Sequence, residues 1–227
     1  MNPLVSVIMP VHNGAHFLRE SIPSVLAQDY QPIEIIVADD GSTDDSADVA
    51  ESYPEVECLR LPKGGVSRAR NLAVERSSGE WLAFLDADDI WLPGKLSAQV
   101  ALASEQCEAD LILCHQVCRF EGEVPAWFRG KTDGSEVTAY EPSAWLLRRA
   151  TFEHVGPFDE ARDLGEDTEW LSRAWDLGYT HVMSPQSLVI RRIHSSNATG
   201  TIPSARRVIF DILRESVARK HLRREAK

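Results

Sequence analysis

The chain has 227 residues, 43% of them hydrophobic and 26% charged, with a formal net charge of -11 at pH 7. That length can bury one sizeable core, giving one domain with an appendage, and the acidic balance excludes a general nucleic-acid binder, whose phosphate contacts need a basic face. The four cysteines, Cys58, Cys107, Cys114 and Cys118, form no dense disulfide framework, and the apolar run at 4–9 is too short for a membrane span and lacks the flanks of a signal peptide. A cytoplasmic protein with reduced thiols is therefore expected.

In chain order, residues 5–9 read as a strand, 17–28 as a helix and 33–38 as a second strand. Ser42, with Asp45 three residues on, is expected to cap a helix reaching about Ser52. A strand at 56–61, a helix at 67–75 and a fully apolar strand at 81–85 follow. Strands alternating with helices predict a doubly wound, mainly parallel α/β sheet, whose ligands gather beyond the carboxyl ends of the strands. Beyond a helix at 96–105 and a buried strand at 111–118, residues 121–141 read as a loop-rich insertion. The Cys114, His115 and Cys118 group lies in that apolar strand and lacks a second ligand pair at zinc spacing. AWLLRRATFEHVG reads as partly helical, 166–177 as a helix with an acidic first turn, 180–193 as one or two strands, and 204–221 as a final amphipathic helix. From residue 205 onward eight Lys or Arg face three Asp or Glu, a net +5 that leaves -16 for residues 1–204. The expected division is a domain at 1–203, with a regular half at 1–100 and a less regular half at 101–203, and a basic helix at 204–227.

Asp86, Asp88 and Asp89 follow directly on the apolar strand WLAFL. Carboxylates so placed suit Mg²⁺ or Mn²⁺ completed by substrate phosphates, with one acid free to reach a ribose hydroxyl; the plainer reading is a solvated acidic turn. Asp40, at the end of the second strand, suits a hydrogen bond from the N3 imide of uracil or thymine, or turn chemistry alone. Glu166, Asp167 and Glu169 suit either a catalytic carboxylate or simple favourable placement at a helix N-terminus. Arg191, Arg192 and His194 form a basic cluster in an acidic chain, which suits a diphosphate.

Taken together and in order, VSVIMPVHNG, VADDGSTDD, SRARNLA, FLDADDIWLPGKL, FEHVGPFDE, GEDTEW and VIRRIHSSNAT resemble the family-2 glycosyltransferases of the A-type glycosyltransferase fold, over residues 4–199. The resemblance implies a nucleotide-sugar donor, with UDP as the expected nucleotide, and inverting transfer to an acceptor hydroxyl, with 1–100 the nucleotide-binding half and 101–203 the acceptor-binding half. It implies that Pro10 and Val11 line the nucleotide pocket, Asp40 reads the base, Arg70 lies near the nucleotide and Asp86 approaches the ribose. Asp88 would be the principal metal ligand, His194 would contact metal or diphosphate, and Asp167 would be the base. The sequence departs from the family where Pro62, Lys63, Gly64 and Gly65 replace an Asn-x-Gly string, with Lys63 a candidate for the phosphates. It also lacks Gln-x-x-Arg-Trp after GEDTE, which argues for a non-processive enzyme.

A nucleotidyltransferase and a non-catalytic sugar-nucleotide-binding protein are the alternatives. The acceptor, whether glycan, lipid-linked sugar or protein, is not legible, and among Trp127, Trp145, Trp170 and Trp175 a sugar platform competes with core packing. The basic tail suits peripheral contact at the inner face of a membrane, or packing on the domain or on a second subunit of a homodimer.

Overall fold

The computed structural model describes residues 2–106, 109–122, 128, 132–195, 197 and 205–225. Cys107, residues 123–127 (with Trp127) and 129–131 of the 121–141 insertion, and the expected boundary at 203/204 lie outside the described residues. Strand β1 (Val5–Val11) is buried along its whole length. It lies between β2 (Ile33–Asp40) and β4 (Trp81–Phe84), parallel to both, and β3 (Val56–Leu61) extends the parallel array beyond β2. Such strands read as near-continuous apolar runs because both faces are covered. The connecting helices are α1 (Ala15–Leu26), α2 (Ser46–Glu51) and α3 (Val66–Arg76). Because β2 and β4 flank β1 on opposite sides, the chain reverses direction across the sheet there, and a crevice opens beyond the carboxyl ends of β1 and β4.

The second half comprises β5 (Ile90–Trp91), α4 (Lys95–Glu105), β6 (Leu111–Phe120), β7 (Glu136–Thr138), a 3₁₀ turn at Pro142–Ala144 and β8 (Leu146–Arg148). After these come α5 (Arg149–Val155), α6 (Glu166–Leu177), β9 (His181–Ile193) and α7 (Ala205–Glu225). The sheet order is β3-β2-β1-β4-β8-β6-β9-β5, with β7 paired to β6. The parallel character holds through β4; beyond it β8 runs antiparallel to both β4 and β6, while β6 and β9 are parallel. The AWLLRR stretch is correspondingly a buried strand before it becomes a helix: Leu146 and Leu147 are fully enclosed between β4 and β6, and α5 starts only at Arg149.

Two further features position the site. Trp145 and Trp170 are buried in an aromatic cluster with Phe84, Phe152 and Phe158, so these two tryptophans are core, whereas Trp175 is exposed. The two-residue β5 pairs antiparallel with Ile190 and Val189 of β9, which draws the segment just before β5 beside the residues just after β9.

α7 packs on α6. Ile212 is buried, Ser216 and Arg219 bond the Asp176 carboxylate, and Arg162 reaches Glu215. The apolar residues of α7 therefore do not form a single inward stripe, because Ile209, Phe210, Leu213 and Val217 face outward.

Candidate functional site

A cavity of about 510 Å³ occupies the crevice, and its lining includes Pro10, Val11, Asp40, Arg70, Asp86, Asp88, Asp167 and His194. All eight residues expected at the site are thus brought together. The floor is the turn after β1, where Asn13 takes a positive φ of 53°. Its backbone donors are satisfied by the neighbouring loop: Asn13 N–H donates to Ser42 Oγ, Gly14 N–H to Ser46 Oγ and Ala15 N–H to Asp44. Ser42 is therefore not the cap of its own helix. Asp45 precedes α2, and the Ser42 hydroxyl serves the β1–α1 turn instead.

Asp40 lines the cavity, but its carboxylate already accepts the N–H groups of Gly64 and Gly65 at 2.6 and 2.9 Å. It braces the Pro62–Gly65 substitute loop against the end of β2. A carboxylate has about four acceptor sites, so capacity for a base remains. Lys63, the candidate for the phosphates, donates its ammonium to His12 Nε2 at 2.6 Å, while His12 Nδ1 pairs with the Asp40 carbonyl, which assigns the proton to Nδ1.

The Asp-Ala-Asp-Asp segment divides its work. Asp86 accepts from Arg70 Nη2 at 2.5 Å, and Arg70 Nη1 donates to Glu166 at 2.6 Å. Arg70 is buried, and both its terminal nitrogens are committed to carboxylates, so it organises the wall of the cavity as a bridge between the β4 end and the α6 start. Burial and the nearby Asp88 push the Asp86 carboxyl up, against the pull of Arg70. Asp89 is a structural acid. It accepts the Ser143 hydroxyl at 2.6 Å and the Arg192 N–H, and burial beside Asp88 and Asp86 raises its carboxyl well above the usual range.

Asp88 Oδ2 lies 3.2 Å from His194 Nε2. Asn197, which sequence reasoning left without a role, holds the pair: its Oδ1 accepts the His194 N–H at 2.7 Å, and its Nδ2 donates to Asp88 Oδ2 at 3.0 Å and to the Arg192 carbonyl. The only hint in the sequence was an amide side chain just after an apolar strand. Arg192 leaves the expected diphosphate cluster. Its guanidinium is buried over the Phe17 ring, donates to the Asp88 carbonyl and faces Glu20, while Arg191 lines the cavity paired with Glu141. Alternation along β9 separates the two arginines.

Among the described residues no group of three or more His, Cys, Asp or Glu side chains is poised around a common point. Asp88 and His194 supply one hard oxygen and one imidazole nitrogen on the cavity wall. That two-donor set fits Mn²⁺ or Mg²⁺ taking its remaining ligands from substrate phosphates and water.

Asp167 stands in the first turn of α6 behind Gly165, a left-handed residue with φ 75°. A Cβ on Gly165 would meet Val208 of α7 at 2.6 Å, so this turn is held tightly against the last helix. Glu166 is committed to Arg70, whereas Asp167 has no ion-pair partner among the described residues and accepts only from Thr168. Burial, then repulsion from Glu166, raises its pKa to about 6, despite the lowering effects of Thr168 and Arg70. A carboxylate tuned toward neutrality on a cavity wall is equipped to take a proton.

The model of the family described as "Glycosyl transferase family 2" matches residues 6–156. The chain belongs to this family. Glycosyltransferases of Rickettsia prowazekii and Rickettsia typhi are 30% and 40% identical over 217 residues, covering 88% of this chain and 67% of each relative. Among solved structures, Staphylococcus aureus TarS 1-349 in complex with UDP-GlcNAc superposes with a TM-score of 0.76 at 22% identity, covering 95% of this chain and 66% of that one. A mannosyltransferase of Pyrobaculum calidifontis, in complex with GDP-Man and Mn²⁺, gives a TM-score of 0.64 at 18% identity, covering 100% of this chain and 65% of that one. The chain thus spans about two thirds of the length of these relatives. The fold is that of the A-type glycosyltransferases, as the motifs implied, and family membership separates the chain from the nucleotidyltransferases.

Proposed function

We propose that the chain transfers a sugar from a nucleoside-diphosphate donor to an acceptor hydroxyl with inversion, and that Asp167 is the base. The observation that carries this reading is the placement of Asp167, without a cationic partner of its own, in the same cavity as Asp86, Asp88 and His194. A hydroxyl is a weak nucleophile until a positioned carboxylate takes its proton as the new bond forms. Asp167 does so from one side of the cavity. Asp86, held by Arg70, receives the ribose, and Asp40 with Pro10 and Val11 receives the base. Inversion follows from in-line displacement with one base. UDP is the favoured nucleotide, on the Asp40 carboxylate and on the UDP-GlcNAc bound to TarS.

Asp88 and His194 would hold a divalent cation, which when bound supplies positive charge to the leaving diphosphate. Among the described residues no helix is long and apolar enough to cross a membrane.

The test is a panel of UDP-, GDP- and TDP-sugars with Mn²⁺, read by donor calorimetry and by release of nucleoside diphosphate with and without acceptor hydroxyl compounds. Binding of a sugar nucleotide with release of the nucleoside diphosphate supports the reading. Tight binding without turnover under any acceptor would leave a sugar-nucleotide sensor and remove the enzyme.

A further inference from the structure

The outer face of α7 carries Ile209, Phe210, Leu213 and Val217, which are 53%, 71%, 56% and 68% exposed. Their spacing places all four on one side of the helix, next to the face that Ile212, Ser216 and Arg219 turn to α6. Four large apolar side chains in one stripe form a patch that a soluble surface does not keep without use. Exposed Arg207 and Arg214 flank it on one side, while Lys220 at its C-terminal end turns its ammonium to Asp176 of α6. The acids Asp211 and Glu215 sit on the far side, paired with Arg214 and Arg162.

We infer that this stripe docks α7 on an anionic lipid surface, with Ile209, Phe210, Leu213 and Val217 entering the headgroup boundary and the flanking cations facing lipid phosphates. This goes beyond the transfer reaction. An apolar strip edged by Lys and Arg is the arrangement such interfacial helices require. The alternative occupant, the same stripe of a second copy, would gain no charge complementarity from Arg207 and Arg214, since a two-fold contact sets one patch against the same patch and so cation edge against cation edge. The acidic body does not oppose lipid docking, because charges more than about 8–10 Å away are screened at physiological salt.

The placement also ties lipid to chemistry. Val208, on the inner side of α7, packs against Gly165 at the turn that carries Asp167. A docked α7 therefore sets that turn roughly one helix diameter, about 10–12 Å, above the lipid, which suits an acceptor held in the membrane.

Flotation of the full chain with phosphatidylcholine vesicles, and with vesicles rich in phosphatidylglycerol, tests this. Association with the anionic vesicles alone, weakened by salt, is expected. The double variant Phe210→Glu, Leu213→Glu should lose at least about tenfold in partitioning, as should Arg207→Glu, Arg214→Glu to a lesser degree. Leu222→Glu, an exposed apolar position off the stripe, should float like the parent. Circular dichroism and donor calorimetry, unchanged in the stripe variants, show that folding and the cavity are intact and keep this outcome separate from that of the transferase reading. Flotation unaffected by the stripe variants, or no flotation of the parent, would overturn the inference. So would a parental dimer, seen by sedimentation, that the stripe variants convert to monomer.

Discussion

The carboxylate of Asp88 and the imidazole of His194 meet at 3.2 Å across a chain separation of 106 residues. The contact is built by β5, which starts two residues after Asp88 and pairs with Ile190 and Val189, so that the end of β9 arrives beside the acidic segment. Asn197 then fixes both partners through its two amide atoms. If this pair holds the cation, Asp88→Asn should remove most of the dependence of transfer on Mn²⁺ together with most of the transfer. Nucleotide release with and without chelator measures this, and parental turnover of Asp88→Asn in chelator would contradict the assignment.

Asn197→Ala probes the support rather than the ligand. Groups that orient a metal ligand typically contribute about 10–100-fold in affinity. The half-saturating Mn²⁺ concentration should rise by roughly that factor, with turnover at saturating metal much less changed. An unchanged metal titration would show that His194 is held well enough by its strand.

Arg70 joins Asp86 to Glu166, and lysine, a single point of charge, cannot serve two carboxylates in that geometry. Arg70→Leu leaves two acids facing each other in a buried wall, and a loss of about 3–5 kcal/mol in unfolding free energy is expected. Arg70→Lys should be milder and more informative. Arg70 now lowers the Asp167 carboxyl, so weakening its grip raises that pKa and moves the acid limb of the pH–rate profile to higher pH. A profile that does not move would separate Arg70 from the base.

The parallel half of the fold was legible because β1, β2 and β4 are apolar runs punctuated by turn residues, and the acids at their carboxyl ends marked the site. What was not legible depended on register and backbone. Nothing in a string of residues says that Arg191 faces the cavity while Arg192 turns inward, since that is set by the pairing of β9 with β5 and β6. The partners of Asp40 are backbone N–H groups, which carry no residue signature. Likewise the apolar periodicity of α7 was visible, but which members face α6 is decided by the glycine groove at Gly165, where Val208 fits.

Asp40 is expected to be structural and functional at once. Asp40→Asn keeps one acceptor oxygen where two N–H groups need one each, and it points an amide N–H₂ at a donor. An unsatisfied donor of this kind costs about 1–3 kcal/mol. Urea unfolding should show a loss in that range, and calorimetry should show weakened donor binding, because the Gly64–Gly65 loop leads into α3 and Arg70. A variant with parental stability would mean that the loop is braced elsewhere.

Asp167 should separate function from stability. Its pKa of about 6 lies above the value of about 3.9 for an unfolded aspartate. Between those values the folded chain binds more protons than the unfolded chain, so this group lowers stability as pH rises from about 4 to 6, and the cost, on the order of 2–3 kcal/mol, is fully present at neutral pH. Asn removes the ionisation while keeping size. Asp167→Asn should therefore unfold at a higher temperature than the parent at pH 7.5, with the difference shrinking toward pH 4. Over the same range its transfer rate should fall by roughly 10²–10⁴-fold, with donor affinity retained. A merely structural aspartate at a helix N-terminus predicts the reverse, a loss of stability through the helix dipole with activity largely kept. Thermal scans at two pH values beside a rate at saturating donor and acceptor distinguish the two. Should the variant transfer at the parental rate, Glu166 is a poor successor as base, because Arg70 holds its carboxylate in an ion pair.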